Sequence, residues 1–240
     1  MAEPRCAEQR FQSREPPVVS EIGRVIDRVA TEALAAPLAA AGFKKTGRTW
    51  RRQVGDAVQV VHVQASRHNA GADGEFVLTA GVYFPALAAR LALFPPNDAP
   101  GEPDCQVRTR PMPPGRNWWK VRAAGVAKPE PDAGRVLGAL FSWLDRRADR
   151  RAEETNARAT RELRQALERY ALPWLERSSD LGSARDDFIR RGPLWWAVAA
   201  SLELGDHAAA VRLYAEALAT AEPVGADELR RWGRANELER

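Results

Sequence analysis

The run from Gly42 to Phe84 limits what this chain can fold into more than any other stretch. It holds three extended segments in succession. In the first, Lys44 to Arg52, Phe43 and Trp50 with Thr46 and Thr49 favour a strand despite the basic residues among them, and Gly55-Asp56 supplies a turn into the second. In the second, Val58, Val60, His62 and Gln64 share one face while Val61, Val63 and Ala65 share the other. The third follows the polar turn His68 to Gly74. There Phe76, Leu78, Ala80, Val82 and Phe84 alternate with Val77, Thr79, Gly81 and Tyr83. Apolar residues on both faces mark the second and third strands as central and covered on both sides. Contiguous strands with short connections predict an antiparallel three-stranded meander over residues 43–84.

A helix precedes the meander. Ile22, Val25, Ile26, Val29, Ala33 and Leu34 recur at helical spacing, Ser20 is placed to cap the first turn, and Gly42 ends the helix at its C′ position. Pro37 lies inside this pattern and lacks the N–H that an inner turn requires, which predicts a kink or a break there. The meander should pack on this helix. Pro85 to Phe94 reads as a short helix and Pro95 to Gly115 as a long loop in which Cys105 to Arg110 pairs briefly as an edge strand. Adjacent tryptophans point in opposite directions on a strand, so at least one of Trp118 and Trp119 should anchor the following stretch to the core.

From Pro131 onward the pattern is helical. Leu137, Leu140, Phe141 and Leu144 form one apolar stripe, and Leu163, Leu167, Tyr170, Leu172 and Leu175 form another. Between them Arg146 to Arg161 is either a long exposed helix or a turn between two helices, with charges of alternating sign that suit pairing three and four residues apart. Gly192-Pro193, Gly205-Asp206 and Pro223 then punctuate a helical hairpin. Gly205, Asp206, His207, Ala210, Tyr214, Ala217 and Leu218 resemble the second half of a tetratricopeptide unit. A single such unit cannot bury its own faces, so it is expected to cap the preceding helices, with Trp195, Trp196 and Trp232 supplying contact area. The expected fold class is α+β: an antiparallel sheet of three to five strands packed on helices, followed by an all-helical extension. Residues 1–18, polar and proline-bearing, are expected to be disordered, 19–180 to form the α+β domain and 181–240 the extension.

The segments occur in a telling order. Gly42-Phe43-Lys44-Lys45, Gly47-Arg48-Thr49-Trp50, Val60 to Ser66, Gly81-Val82-Tyr83, the arginine-bearing Cys105 to Arg110 and then Trp119 resemble the bacterial family called domain of unknown function 4304, over about residues 20–178. The resemblance implies a compact α+β domain. It implies no established activity and supplies no catalytic residue.

The residues themselves offer little chemistry. Three histidines, His62, His68 and His207, have no second histidine, cysteine or paired carboxylate at ligand spacing, and Cys6 and Cys105 are too few and too distant for a zinc site or a disulfide framework. Ser66, Ser142 and Ser201 sit in no nucleophile elbow, and no glycine-rich phosphate loop is followed by a lysine. Asp186-Asp187 and Glu153-Glu154 point apart on a helix instead of forming a spaced acid–base pair. No catalytic residue, metal site or cofactor is therefore expected. His62 and Gln64, polar on one strand face, either satisfy their hydrogen bonds locally or line a cleft.

Binding is the remaining function class. Alternation places Arg48, Trp50 and Arg52 together, a composition typical of interface hot spots, and Arg108 and Arg110 add a second basic strand. An acidic or aromatic-tolerant partner protein is expected there, as for a toxin-neutralising protein. The alternative is nucleic-acid binding by the same hairpin, with Trp50 stacking on bases. Against that alternative, 36 basic and 32 acidic residues leave only +4, spread along the chain. A competing reading makes Trp50 core and the arginines a protective charged edge. The absence of an apolar leader and the low cysteine usage lead to the expectation of a soluble cytoplasmic protein with no membrane association.

Overall fold

The computed structural model describes residues 20–91, 97–124 and 135–239, with the side chains of 135–145 and 223–224 left aside. The expected tail, 1–18, and the stripe Leu137, Leu140, Phe141 and Leu144 lie outside the described residues.

Helix α1 (Glu21–Ala40) begins where Ser20 accepts a hydrogen bond from the Gly23 N–H at 3.2 Å, and it buries Ile22, Val25, Ile26, Val29, Ala33 and Leu34 as their spacing predicts. The expected break at Pro37 does not occur. Proline leaves the Ala33 carbonyl without its usual donor, and a residue far along the chain replaces it: Arg164 donates through Nε to Ala33 O at 3.3 Å and through Nη2 to Glu32 O at 2.9 Å.

Six antiparallel strands follow: β1 (Lys44–Thr46), β2 (Thr49–Val54), β3 (Ala57–Ala65), β4 (Asp73–Tyr83), β5 (Val107–Thr109) and β6 (Trp119–Arg122). Their order is β1-β2-β3-β4-β5, and β6 pairs the first half of β4 while β5 pairs its second half. The extended segment expected over Lys44 to Arg52 is two strands, because Gly47 takes a left-handed φ of 59° and turns the chain between them. The meander thus has four strands instead of three. As predicted, β3 and β4 are central. One face of the sheet, with Trp50, Val61, Val63, Phe76, Leu78, Ala80, Val82, Trp119 and Val121, shares a core with the apolar stripe of α1. Trp119 stacks on Phe76 at 5.8 Å and is the anchoring member of its pair.

The other face carries a small cluster of Val60, Tyr83 and Cys105 with Ala88 of α2 (Pro85–Leu91). Gly81 is needed at that point. A Cβ there would lie 2.6 Å from Cβ of Cys105, so only glycine lets the 101–105 loop close onto the strand.

The polar middle of the chain forms one long helix, α3 (Arg135–Ala166), which continues through a π turn at Leu167–Ala171 into α4 (Leu172–Ser178). The π turn falls just before Pro173, whose ring and missing N–H disfavour a regular turn. The extra residue shifts the apolar stripe: Leu163, Leu167 and Leu175 are buried, but Tyr170, expected with them, is 40% exposed. Then come α5 (Leu181–Arg191), α6 (Leu194–Glu203), α7 (His207–Thr220) and α8 (Pro223–Ala235), with Asp180 and Asp206 capping α5 and α7. Ala197 to Ala200, Ala210, Leu213 and Tyr214 join the same core as the sheet. Trp196 stacks on Phe188 at 6.1 Å and the Trp232 indole donates to the Arg90 carbonyl at 3.0 Å, whereas Trp195, expected to supply contact area, is 46% exposed. Among the described residues no helix is long and apolar enough to cross a membrane.

Candidate functional site

The first hairpin does place Arg48, Trp50 and Arg52 on one face, but that face is turned inward against α1. Trp50 is 2% exposed, beneath the Lys45 ammonium at 5.2 Å from its ring centre. Arg48 pairs with Asp27 at 2.5 Å and donates to Gly23 O at 3.0 Å, both on α1. Arg52 donates to Gln59 Oε1, to the Ala41 carbonyl and to Glu176, and lies over the Phe43 ring. As a surface contact Trp50 is therefore excluded, and both arginines spend their donors inside the molecule. The reason is coverage: alternation fixes which side chains go together, while the helix docked on the sheet fixes which side is wet.

Gln59 is the polar group that sequence reasoning passed over. It is fully buried opposite Arg52 in the β2–β3 register, accepts from Arg52, and donates to the Leu175 carbonyl at 3.2 Å and Ser179 Oγ at 2.8 Å. The available signal was a glutamine in phase with Val61 and Val63. His62 and Gln64 share a face without forming a pair. His62 Nδ1 lies 2.9 Å from Thr49 Oγ1, and Gln64 is exposed. Burial, with Arg48 and Arg51 nearby, holds the imidazole below its ordinary pKa. Cys105 is buried and its thiol is pushed far up, first by desolvation and then by Glu102 and Asp104, so it is a poor nucleophile. No group of three or more histidine, cysteine or carboxylate side chains suited to a metal occurs among the described residues.

Arg108 and Arg110, the remaining predicted contacts, are placed differently. β5 lies at the edge of the sheet, with Val107 buried toward the core and Arg108 and Arg110 exposed on the opposite face. Neither arginine forms an ion pair with a described residue. Across from them runs the end of α5, and between the two lies a cleft of about 520 Å³ walled by Arg108, Thr109, Arg110, Phe188, Arg191 and Pro193. Two carboxylates also line it. Asp187 is neutralised by Arg190 at 3.1 Å and Arg191 at 3.0 Å, and Glu102 stands near Cys105.

The clefts beside β6 differ in charge. One of about 640 Å³ contains Asp73, Lys120 and Arg122, and one of about 300 Å³ contains Arg116, Trp118, Arg158 and Glu162. Their ions satisfy one another: Arg122 grips Asp73 at 2.6 and 2.9 Å, and Arg116 and Arg158 converge on Glu162. At the end of β6 the Asn156 side chain accepts from the Arg122 N–H at 2.9 Å and donates to its carbonyl at 2.8 Å. Among these clefts, the one at β5 combines a strand edge with arginines that form no ion pair among the described residues.

A family model, described as domain of unknown function (DUF4304), matches residues 34–177, from within α1 to the end of α4. No curated protein and no solved structure matches the chain.

Proposed function

We propose that this chain, which belongs to the family described as domain of unknown function (DUF4304), is a non-catalytic protein-binding module of the bacterial cytoplasm that takes an acidic partner in the cleft between β5 and α5. One observation carries the reading: Arg108 and Arg110 are exposed at a strand edge and pair with no carboxylate among the described residues, whereas Arg116 and Arg122 in the clefts beside β6 pair with Glu162 and Asp73. Guanidinium forks match carboxylates in geometry as well as charge, which favours an acidic protein surface. Occluding such a surface, as a toxin-neutralising protein does, requires no catalytic group. The family match ends before α5, so one wall of the cleft lies within the matched residues and the other beyond them. That division suits a common scaffold with a chain-specific partner.

Nucleic acid is the competing ligand, and its support is weaker. The hairpin assigned to it keeps Trp50 buried, leaving no base-stacking platform there. The test is affinity capture from extracts of the source cell with the full chain and with the R108E/R110E double variant, matched in melting temperature. A protein retained by the wild type, lost by the variant and indifferent to nuclease is the expected result. Equal capture by both chains, or nuclease-sensitive material only, contradicts the reading.

A further inference from the structure

We infer that the partner enters this cleft as an extended segment that adds a strand to the free edge of β5, with acidic side chains at two alternate positions meeting Arg108 and Arg110. The inference rests on the cleft reading above and specifies the form of the ligand.

Among the described residues the sheet has three short edges. At β6 the Asn156 amide occupies the backbone groups of Arg122. β1 and β5 are both three-residue strands with exposed cations, and β5 differs in lining a cleft whose other wall is α5. At β5, among the described residues, no backbone hydrogen bond outside the ladder to β4 reaches Val107, Arg108 or Thr109. The N–H and C=O groups that alternate away from β4 therefore remain available to another chain, on a strand that lines the cleft. A cleft of about 520 Å³ has room for a short segment between β5 and the α5 wall.

Charge selects which strand can enter. A second copy of β5 would bring arginines against arginines, so the edge repels self-pairing and favours a segment of opposite sign. Side chains opposite one another on paired strands share a face, so the carboxylates must recur with period two to reach both Arg108 and Arg110. The intervening side chains fall on the face of Val107 and Thr109. Glu102 disfavours a third carboxylate at its end of the cleft, and Asp187 is already held by Arg190 and Arg191. The recognised pattern is thus a short acidic alternation, not a general polyanion.

The experiment measures fluorescence anisotropy of the full chain with a labelled peptide that alternates two glutamates with valine and threonine. The expected result is saturable binding, weakened roughly tenfold by R108E/R110E, about what two exposed ion pairs and their replacement by repulsion amount to. A peptide of the same composition with adjacent glutamates should bind more weakly, and backbone N-methylation should weaken binding about fivefold or more in one alternate set of residues only. Equal binding of the rearranged and N-methylated peptides overturns strand addition while leaving the cleft reading intact. The absence of peptide binding overturns strand addition as well, and the cleft reading then stands only if a captured protein depends on Arg108 and Arg110. Peptide binding that is indifferent to R108E/R110E overturns both.

Discussion

Arg164 supplies to α1 what proline withholds. Its guanidinium satisfies the carbonyls of Ala33 and Glu32 beside Pro37, so an apparent helix breaker becomes a docking point for α3. R164M should cost about 1 kcal/mol in denaturant unfolding, and clearly less in a P37A background, where the helix recovers its own donor. Equal costs in the two backgrounds would remove the coupling. His62 makes a pH prediction with a definite sign. Its folded pKa lies below the unfolded value of 6.5, chiefly through burial, so the unfolded state binds the proton more readily. Its contribution is present above pH 6.5 and is lost as pH falls through the folded pKa; H62Q should flatten that slope in melting temperatures between neutral and mildly acid pH. At this scale the sequence shows which residues share a face, as Arg48, Trp50 and Arg52 do, but not which face a helix will cover. That is a long-range fact, set by the docking of α1, and it moved the candidate site from the first hairpin to β5.

At the scale of elements, the cap at Ser20, the helix break at Gly205-Asp206 and the antiparallel order of β2, β3 and β4 were legible because they depend on local chemistry and short connections. The split of the first strand at Gly47 was less so, since a glycine in an extended pattern reads equally as strand or turn until its φ is known. The polar run Arg146 to Arg161 carries no apolar period, so its sequence does not decide between one long helix and two, and the structure makes it one. Gln59 joins β3 to the end of α4 by accepting from Arg52 and donating to Leu175 and Ser179. Q59L should therefore cost about 1–2 kcal/mol, because it removes the buried acceptor of Arg52, while Arg52 keeps Ala41 O and Glu176 and the Leu175 carbonyl keeps Ser179. The Q59L/R52M double variant should recover much of the loss, since Glu176 is exposed and tolerates losing its arginine. Strictly additive losses would show that the network does not act as a unit.

For the whole molecule, one apolar core runs from α1 and the sheet into α6 and α7, and Arg90 of α2 pairs with Glu203 and Asn236 at the far end of the chain. Removing residues 181–240 should therefore uncover the apolar residues of α2 and α4 that pack on α6 and α5, lower solubility and lower the melting temperature. A monomeric truncated chain that melts like the intact one would make the extension an independent module. The extension also forms half of the β5 cleft, so recognition and stability draw on the same helices. Hydrogen exchange of the full chain, with and without the alternating acidic peptide at saturation, locates the binding edge without assuming it. Protection confined to Val107–Thr109 and the final turn of α5, with β1 and β2 unchanged, is the predicted result. Protection of β1 and β2, or none near β5, would contradict it.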